Sequence, residues 1–449
     1  MDRWIPAILR PAPAIKALTE PTEVSRQYRY WRFRILYSSL IGYALFYMVR
    51  KNLSVAMPAI GEDLGITKAD LGLFLTLHGL CYGLSKFLNG ILGDRTNPRY
   101  FMALGLVCAA AVNIGFGFSS TAIAFGLFWL VNGWFQGMGF PPCARSLTHW
   151  FAPHERGTRF AIWNTSHSIG AAAALLLCSG LVLVDWRLCF LVPAGLAMIG
   201  AVFLVNRLRD TPRSLGLPDI DEFTNGREAA AEQATTAQEP AFGPFVVKHV
   251  FLNPYIWIVS IANFFVYTIR YSILDWGPTM LKEYRGLELH HAGWVVAGYE
   301  VAGVAGMLLS GWLTDRIFRG RAARACLFYM AGCAVCIGLY WKLAPASIAG
   351  NIAFLCAMGF LIYGPQCLVG VVAANLATHR AAATAIGITG FFGYLSGILS
   401  GWGLGRLVET YGWEPVMGFL VAAGAAAMVL FALCWPAGQT QMEDPIDEK

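Results

Sequence analysis

In the stretch GYALFYMVRKNLSVAMP, residues 42–58, Arg50 and Lys51 stand side by side in an otherwise apolar run. Arg270 stands in surroundings just as apolar, in FFVYTIRYSILDWGP. A guanidinium stays protonated, and its planar fork matches phosphate oxygens two at a time. Ionisable groups in such runs are expensive, so each is a candidate functional residue whose partner must be named. Intramembrane carboxylates that could pair with them are few, Asp275 and Glu300 standing out. Arg50, Lys51, Lys86 and Arg270 outnumber these acids by two positive charges, a surplus that suits a phosphate dianion. The competing reading makes the arginines structural, each paired with a carboxylate on a neighbouring helix. Lys51 follows Arg50 by one residue, about 100° around a helix, so the two cannot both aim at one ligand. Lys51 is expected in an ion-pair or gating role, with Asp275 and Glu300. Tyr43 and Tyr47 precede Arg50 by two turns and one turn and share its face; Tyr267 precedes Arg270 by three residues. Their hydroxyls are candidate additional donors, although tyrosines at this spacing also occur as plain packing.

The elements that must carry these residues follow from composition. The 449 residues are 57% hydrophobic and only 13% charged, with a mean hydropathy of +0.54. A soluble domain carries about 25% charged residues, so most of this surface faces lipid. Apolar stretches of about 20 residues are the unit to count. They fall at 35–59, 72–93, 100–118, 122–147, 160–183, 187–206, 251–281, 291–313, 324–343, 347–376, 383–407 and 413–436. The expectation is an all-α polytopic membrane protein with about twelve spans. Alternation at period two, the mark of a membrane barrel, is absent. Lys and Arg crowd the segments on one side, including Arg26, Arg29, Arg34, Arg95, Arg207, Arg316 and Arg380. That bias predicts cytoplasmic termini and makes the net charge of +6 a topology signal, not a nucleic-acid footprint. Residues 1–30 carry no short apolar core with a small-residue cleavage site, so no cleaved signal is expected. The eleven cysteines lie mostly inside the spans, and Cys333-x-x-Cys336 reads as packing, not metal binding.

The chain also repeats itself. Arg207 to Pro244 is the one long polar stretch between spans, read as a mostly flexible linker with six spans on either side. Expected boundaries are a cytoplasmic segment 1–34, bundles at 35–206 and 250–436, a linker at 207–249 and a tail at 437–449. GILGDRTNPR and GWLTDRIFRGR match with Gly90/Gly311, Asp94/Asp315 and Arg95/Arg316 each 221 positions apart, and that offset carries Arg50 to within one residue of Arg270. The glycines of NGWFQGMG, Gly133 and Gly137, read as scaffold for close helix approach.

A G-x-x-x-D-[RK] loop after the second span, repeated after the eighth, resembles the major facilitator superfamily. YRYWRFRILYSSLIGYALFYMVRKN, GDRTNPRYFMALGL, NGWFQGMGFPPCAR, ERGTRFAIWNTSHSIG, RDTPRSLGLP, VYTIRYSILDWGPT and FLIYGPQCLVG, in that order, look like its organophosphate:phosphate antiporters. The resemblance implies a major facilitator fold of two six-helix bundles and alternating access to a central cavity. It places phosphate-gripping arginines on Arg50 and Arg270, and it puts Lys86, Glu300 and His167 at cavity or ion-pair positions. A titratable His167 could donate to phosphate or move a proton with it. Family members commonly read H-N-x-G-G there; this chain has Ser168 and Ala171. Asp94 and Asp315, in the repeated loops, are expected to pair with an arginine or a helix N-terminus and to act on switching.

The implied function is exchange of a small organophosphate, of the hexose 6-phosphate or glycerol 3-phosphate class, for inorganic phosphate across a cell inner membrane. No metal, cofactor or nucleic acid is required. One rival is a sensor of external sugar phosphate that signals to a membrane kinase. YRYWRFRI and GYLSGILSGWGLGRLVETYGW look closer to that branch, whereas RYSILDWGPTMLKE and GFLIYGPQ lean toward the carriers. A second rival, a membrane enzyme, lacks any H-E-x-x-H, Walker A loop, G-x-S-x-G or dense carboxylate cluster.

Overall fold

Backbone amides that cross lipid must be satisfied within their own segment, and helices do this. The computed structural model describes residues 6–225, 247–343 and 347–436, except the side chains at 87, 94, 153–154, 156–157, 221, 225, 315 and 378–383. Among the described residues there is no strand. The first eight helices are α1 (Pro21–Leu64), α2 (Lys68–Asp94), α3 (Pro98–Gly117), α4 (Ala122–Gln136), α5 (Phe140–Trp150), α6 (Pro153–Asn164), α7 (Ser166–Leu181) and α8 (Leu188–Arg207). A short α9 (Ile220–Asn225) precedes α10 (Pro254–Arg285), α11 (Leu289–Arg316), α12 (Ala322–Leu343), α13 (Ile348–Leu395), α14 (Leu404–Tyr411) and α15 (Glu414–Leu433).

Among the described residues ten stretches are long and apolar enough to cross a membrane; Ile348–Ala377 lies in α13, and Thr384–Tyr411 begins in α13 and ends with α14. The charge-bearing α1 and the α4–α5 pair complete the twelve transmembrane helices. The segment 122–147, expected as one helix, breaks at Gly137–Gly139 because Pro141 and Pro142 have no N–H to donate to the turn before them. Elsewhere the ends follow ordinary capping chemistry. Asn97, Thr121, Asn253 and Ser347 each accept a first-turn amide of α3, α4, α10 and α13. Gly286, at φ +68°, closes α10 in the left-handed conformation.

The chain divides into two compact units. Unit 1 comprises residues 1–52, 81–174 and 187–238. In its core Phe116 stacks on Phe125 and on Phe190, each at 4.3 Å between centroids, with Trp129 edge-on at 5.3 Å. The start of the stretch read as a flexible linker belongs to this unit and is folded. Asp210, buried, pairs with Arg145 at 2.9 Å and accepts the Ala12 amide at 2.8 Å, while its carbonyl accepts from Trp150 Nε1 at 2.9 Å. Phe223 of α9 stacks on Tyr28 at 4.2 Å. Gly216 has φ +72°, and a Cβ there would lie 2.5 Å from the Lys16 carbonyl oxygen. The sequence RDTPRSLGLP is therefore a clasp that ties residues 12–18 and α5 to the end of α8. Residues 226–246 lie outside the described residues.

Unit 2 comprises residues 53–80, 175–186 and 239–449. It includes the last turns of α1 and the first half of α2. Ser54 donates to the carbonyls of Leu274 and Asp275, both at 2.8 Å. Thr76 Oγ1 donates to the Gly397 carbonyl at 2.8 Å and accepts the Trp402 amide at 2.9 Å. Two ion pairs, Glu62–Lys282 at 2.5 Å and Lys68–Glu283 at 3.2 Å, lie at the rim of this contact. All eleven cysteines are free thiols; Cys333 is buried, and Cys336 Sγ lies 3.8 Å from the Phe354 carbonyl, as packing requires.

Breaking a buried ion pair from one side leaves an uncompensated charge, a loss of about 3–5 kcal/mol. Asp210→Ala, which strands Arg145, is expected to lower the thermal unfolding midpoint of the detergent-solubilised protein substantially. An unchanged midpoint would show that the clasp adds nothing to unit 1.

Candidate functional site

Unit 1 builds its part of the site on a bent helix. At Val49 the backbone of α1 leaves helical geometry, with φ −88° and ψ 15°. Sharp bends occur where polar side chains enter the backbone ladder, and they do so here. The Val49 carbonyl accepts from Asn113 Nδ2 at 3.0 Å and from Asn132 Nδ2 at 3.1 Å. One turn earlier Gln136 Nε2 donates to the Phe46 carbonyl at 3.0 Å; one turn later Asn52 donates to Asn113 Oδ1 at 2.8 Å and to the Cys189 carbonyl at 2.9 Å. Amides from α3 and α4 thus hold the turn that presents Arg50. Gly137 lets α4 come close enough to α2 for this, since a Cβ there would lie 2.2 Å from Ser85 Oγ.

Arg50 is 6% exposed. Its guanidinium lies 4.3 Å from the Tyr82 ring centroid and 5.3 Å from that of Tyr47, within cation–π range. Tyr43 and Tyr82 hydroxyls are 3.4 Å apart, and Tyr47 lies 5.6 Å from the His167 ring. His167 is buried, with Nδ1 3.1 Å from the hydroxyl of Ser168. Ser168, one of the two residues that depart from the family pattern, therefore touches this imidazole. Lys86 Nζ lies 3.9 Å from the Phe140 ring, which contacts Tyr43 edge-on at 6.3 Å. Unit 1 brings Arg50, Lys86, His167, Tyr43 and Tyr47 into one cationic, aromatic cluster. Lys51 is also buried.

Unit 2 repeats the construction on α10. Arg270, 2% exposed, donates from Nη2 to Tyr363 Oη at 3.1 Å, and that hydroxyl donates to Glu300 Oε1. The guanidinium lies 4.7, 5.4 and 5.8 Å from the rings of Tyr363, Tyr271 and Tyr267. Gln366 donates to the Tyr267 hydroxyl at 3.4 Å. Two glycines make Tyr363 reachable: a Cβ on Gly306 would sit 1.9 Å from the Phe360 carbonyl oxygen, and one on Gly359 2.1 Å from that of Tyr299. Without them α11 and α13 could not approach closely enough for α13 to present Tyr363 to α10. Asp275 is buried, and its main-chain carbonyl is the acceptor for Ser54. The side chains of Asp94 and Asp315 lie outside the described residues.

Tyr82 and Tyr363 were not singled out by sequence. Tyr82 lies one helical turn before Lys86, and Tyr363 lies inside FLIYGPQ, so a face-by-face reading of those helices contains the signal. Asn113, Asn132 and Gln136 were also missed; isolated amides in apolar helices mark backbone that needs donors. An orphaned buried carbonyl costs about 1–3 kcal/mol. Asn113→Leu and Asn132→Leu together strip the Val49 carbonyl of both side-chain donors and are expected to destabilise by that order, measured by thermal unfolding, whereas either alone leaves one donor in place. Because they serve one oxygen, the double variant should depart from additivity.

The sequence pattern described as the Major Facilitator Superfamily matches residues 39–401. The chain is 39% identical to the probable hexose phosphate transport protein of Chlamydia trachomatis, covering 98% of this chain and 99% of that one. It is 40% identical to the glycerol-3-phosphate transporter of Bacillus subtilis (96% and 98% covered) and 38% identical to the membrane sensor protein UhpC of Escherichia coli (95% and 97% covered). Among solved structures, a bacterial homologue of the human lysosomal transporter Spinster superposes with a TM-score of 0.72 at 16% identity, covering 93% of this chain and 99% of that one. That likeness concerns the fold.

Proposed function

This chain belongs to the major facilitator superfamily and, within it, to the organophosphate:phosphate antiporters, and we propose that it exchanges a small organophosphate for inorganic phosphate by alternating access. It is a multi-pass membrane transporter and not an enzyme. Arg50 and Arg270 hold the phosphate group in this reading, and Tyr43, Tyr47, Lys86, His167 and Tyr267 complete the contacts to substrate. The observation that carries it is the duplication of one device: each unit buries an arginine, on α1 or on α10, against the rings of tyrosines, one of them three residues earlier in both cases. Full-length relatives with hexose phosphate and glycerol 3-phosphate in their names support the same substrate class.

The physical logic is that of a ligand with unequal affinity for two conformations, since only such a difference can shift an equilibrium between them. A phosphate dianion neutralises two like charges that otherwise repel, so the loaded protein changes sides more readily than the empty one. Inorganic phosphate and organophosphates share the head group, which makes exchange the natural outcome. Lys51, Asp275 and Glu300 act on the switch through charge pairing, as do Asp94 and Asp315 from the repeated loops. The distribution of Lys and Arg supports cytoplasmic termini and, for a bacterial chain, insertion in the inner membrane. The bundle boundaries at 35–206 and 250–436 belong to the same reading.

An ammonium cannot reproduce a bidentate guanidinium contact, and one lost charged hydrogen bond is worth about 1.5–3 kcal/mol. Arg50→Lys and Arg270→Lys are each expected to reduce phosphate exchange in proteoliposomes at least tenfold while leaving the fold intact; near-normal exchange by either would overturn the assignment. Counterflow of labelled phosphate against a panel of hexose, glycerol and glycerate phosphates identifies the organic partner. The sensor-like relative sets the second reading: saturable sugar-phosphate binding with no appreciable exchange by the unmodified protein would favour sensing, coupled to a membrane kinase, over transport.

A further inference from the structure

Away from the buried arginines, unit 1 carries a second concentration of positive charge. A cavity of about 520 Å³ is lined by Arg26, Arg29, Arg34 and Arg207, with Tyr30, Phe33 and Tyr37 forming its apolar wall. Its described lining contains no carboxylate. Glu23 lies beside it and takes one of the four, pairing with Arg26 at 2.6 Å. Arg34 is fixed in place: Nη2 donates to the Asn206 carbonyl at 2.9 Å, Nε to the Arg207 carbonyl at 3.2 Å, and its guanidinium lies 4.8 Å from the Trp31 ring. On the same ring Arg209 sits at 5.1 Å; burial first, then the neighbouring Arg99 and Arg34, hold its pKa below the ordinary arginine value.

The place of this cavity in the fold identifies its ligand. Arg34 immediately precedes the apolar run of α1, and Arg207 ends that of α8. The cavity therefore lies where two spans leave the hydrocarbon. Beside the guanidinium groups, Phe33 is 71% exposed and Tyr30 52% exposed. Exposed aromatic rings at that level are characteristic of the membrane–water interface. A soluble anion would use the arginines and leave the rings in water. A ligand that joins an anionic head to acyl chains uses both, and basic clusters next to a span are known to attract such lipids.

We propose that the arginine cavity between the start of α1 and the end of α8 binds the phosphate of an acidic phospholipid, with Tyr30, Phe33 and Tyr37 against its glycerol and acyl carbons. The arginines that set topology by charge alone need no such cavity, so the two roles separate by experiment. The proposal does not depend on the transported substrate.

The test is lipid binding to the purified full chain in neutral detergent at about 0.1 M salt, counted by native mass spectrometry with phosphatidylglycerol or phosphatidylcholine as probe. The unmodified protein is expected to prefer phosphatidylglycerol at least tenfold. Near a membrane surface an unpaired arginine contributes roughly fivefold, and Arg26 is already paired with Glu23, so Arg26→Gln with Arg29→Gln, both exposed positions, should remove at least about fivefold of that preference. Arg319→Gln with Arg321→Gln, an equal charge change in unit 2, should leave it within about twofold. Equal retention of the two lipids, an unchanged preference in the first variant, or an equal loss in the second would overturn the proposal. So would displacement of phosphatidylglycerol by millimolar glycerol 3-phosphate, which would make this a site for a soluble anion.

Discussion

A guanidinium far from water must have its charge answered locally, and the rest of this protein is arranged around that requirement. Arg50 and Arg270 are both almost wholly buried. In each unit the answer includes tyrosine rings presented by two helices: Tyr47 and Tyr82 for Arg50, Tyr267, Tyr271 and Tyr363 for Arg270. A ring face attracts a cation without neutralising it.

The two units reach this end by different means. In unit 1 the helix itself is bent, and the amides of Asn113, Asn132 and Gln136 hold the bend. In unit 2, Arg270 lies on α10 and the adjustment lies in the close approach of α11 and α13 through Gly306 and Gly359. Unit 2 also adds an acid: Tyr363 links Arg270 to Glu300 by consecutive hydrogen bonds. The sequence duplication is thus accompanied by a chemical difference, one cluster being rich in cations and the other carrying a carboxylate.

Charge governs the membrane boundary as it governs the buried clusters. The Asp210 clasp ties residues 12–18, Arg145 and the end of α8 together where the chain leaves the lipid. The arginine cavity shares the end of α8 with it, Arg34 and Arg207 being contributed by α1 and α8.

What the sequence by itself determined was whatever depends on local composition or on fixed spacing. Hydropathy over about 20 residues gave the spans, because transfer into lipid is a sum over one segment. The near-identical offset of Arg50 and Arg270 from the repeated loops marked both arginines before any coordinates. Only the tertiary structure decided which residues meet them. Tyr82 and Tyr363 come from other helices, and no periodicity within α1 or α10 encodes a partner that arrives across a helix–helix contact. The bend at Val49 and the folding of residues 208–225 have the same origin. Each depends on a donor or a small residue elsewhere in the chain, and distance along the sequence carries no information about it.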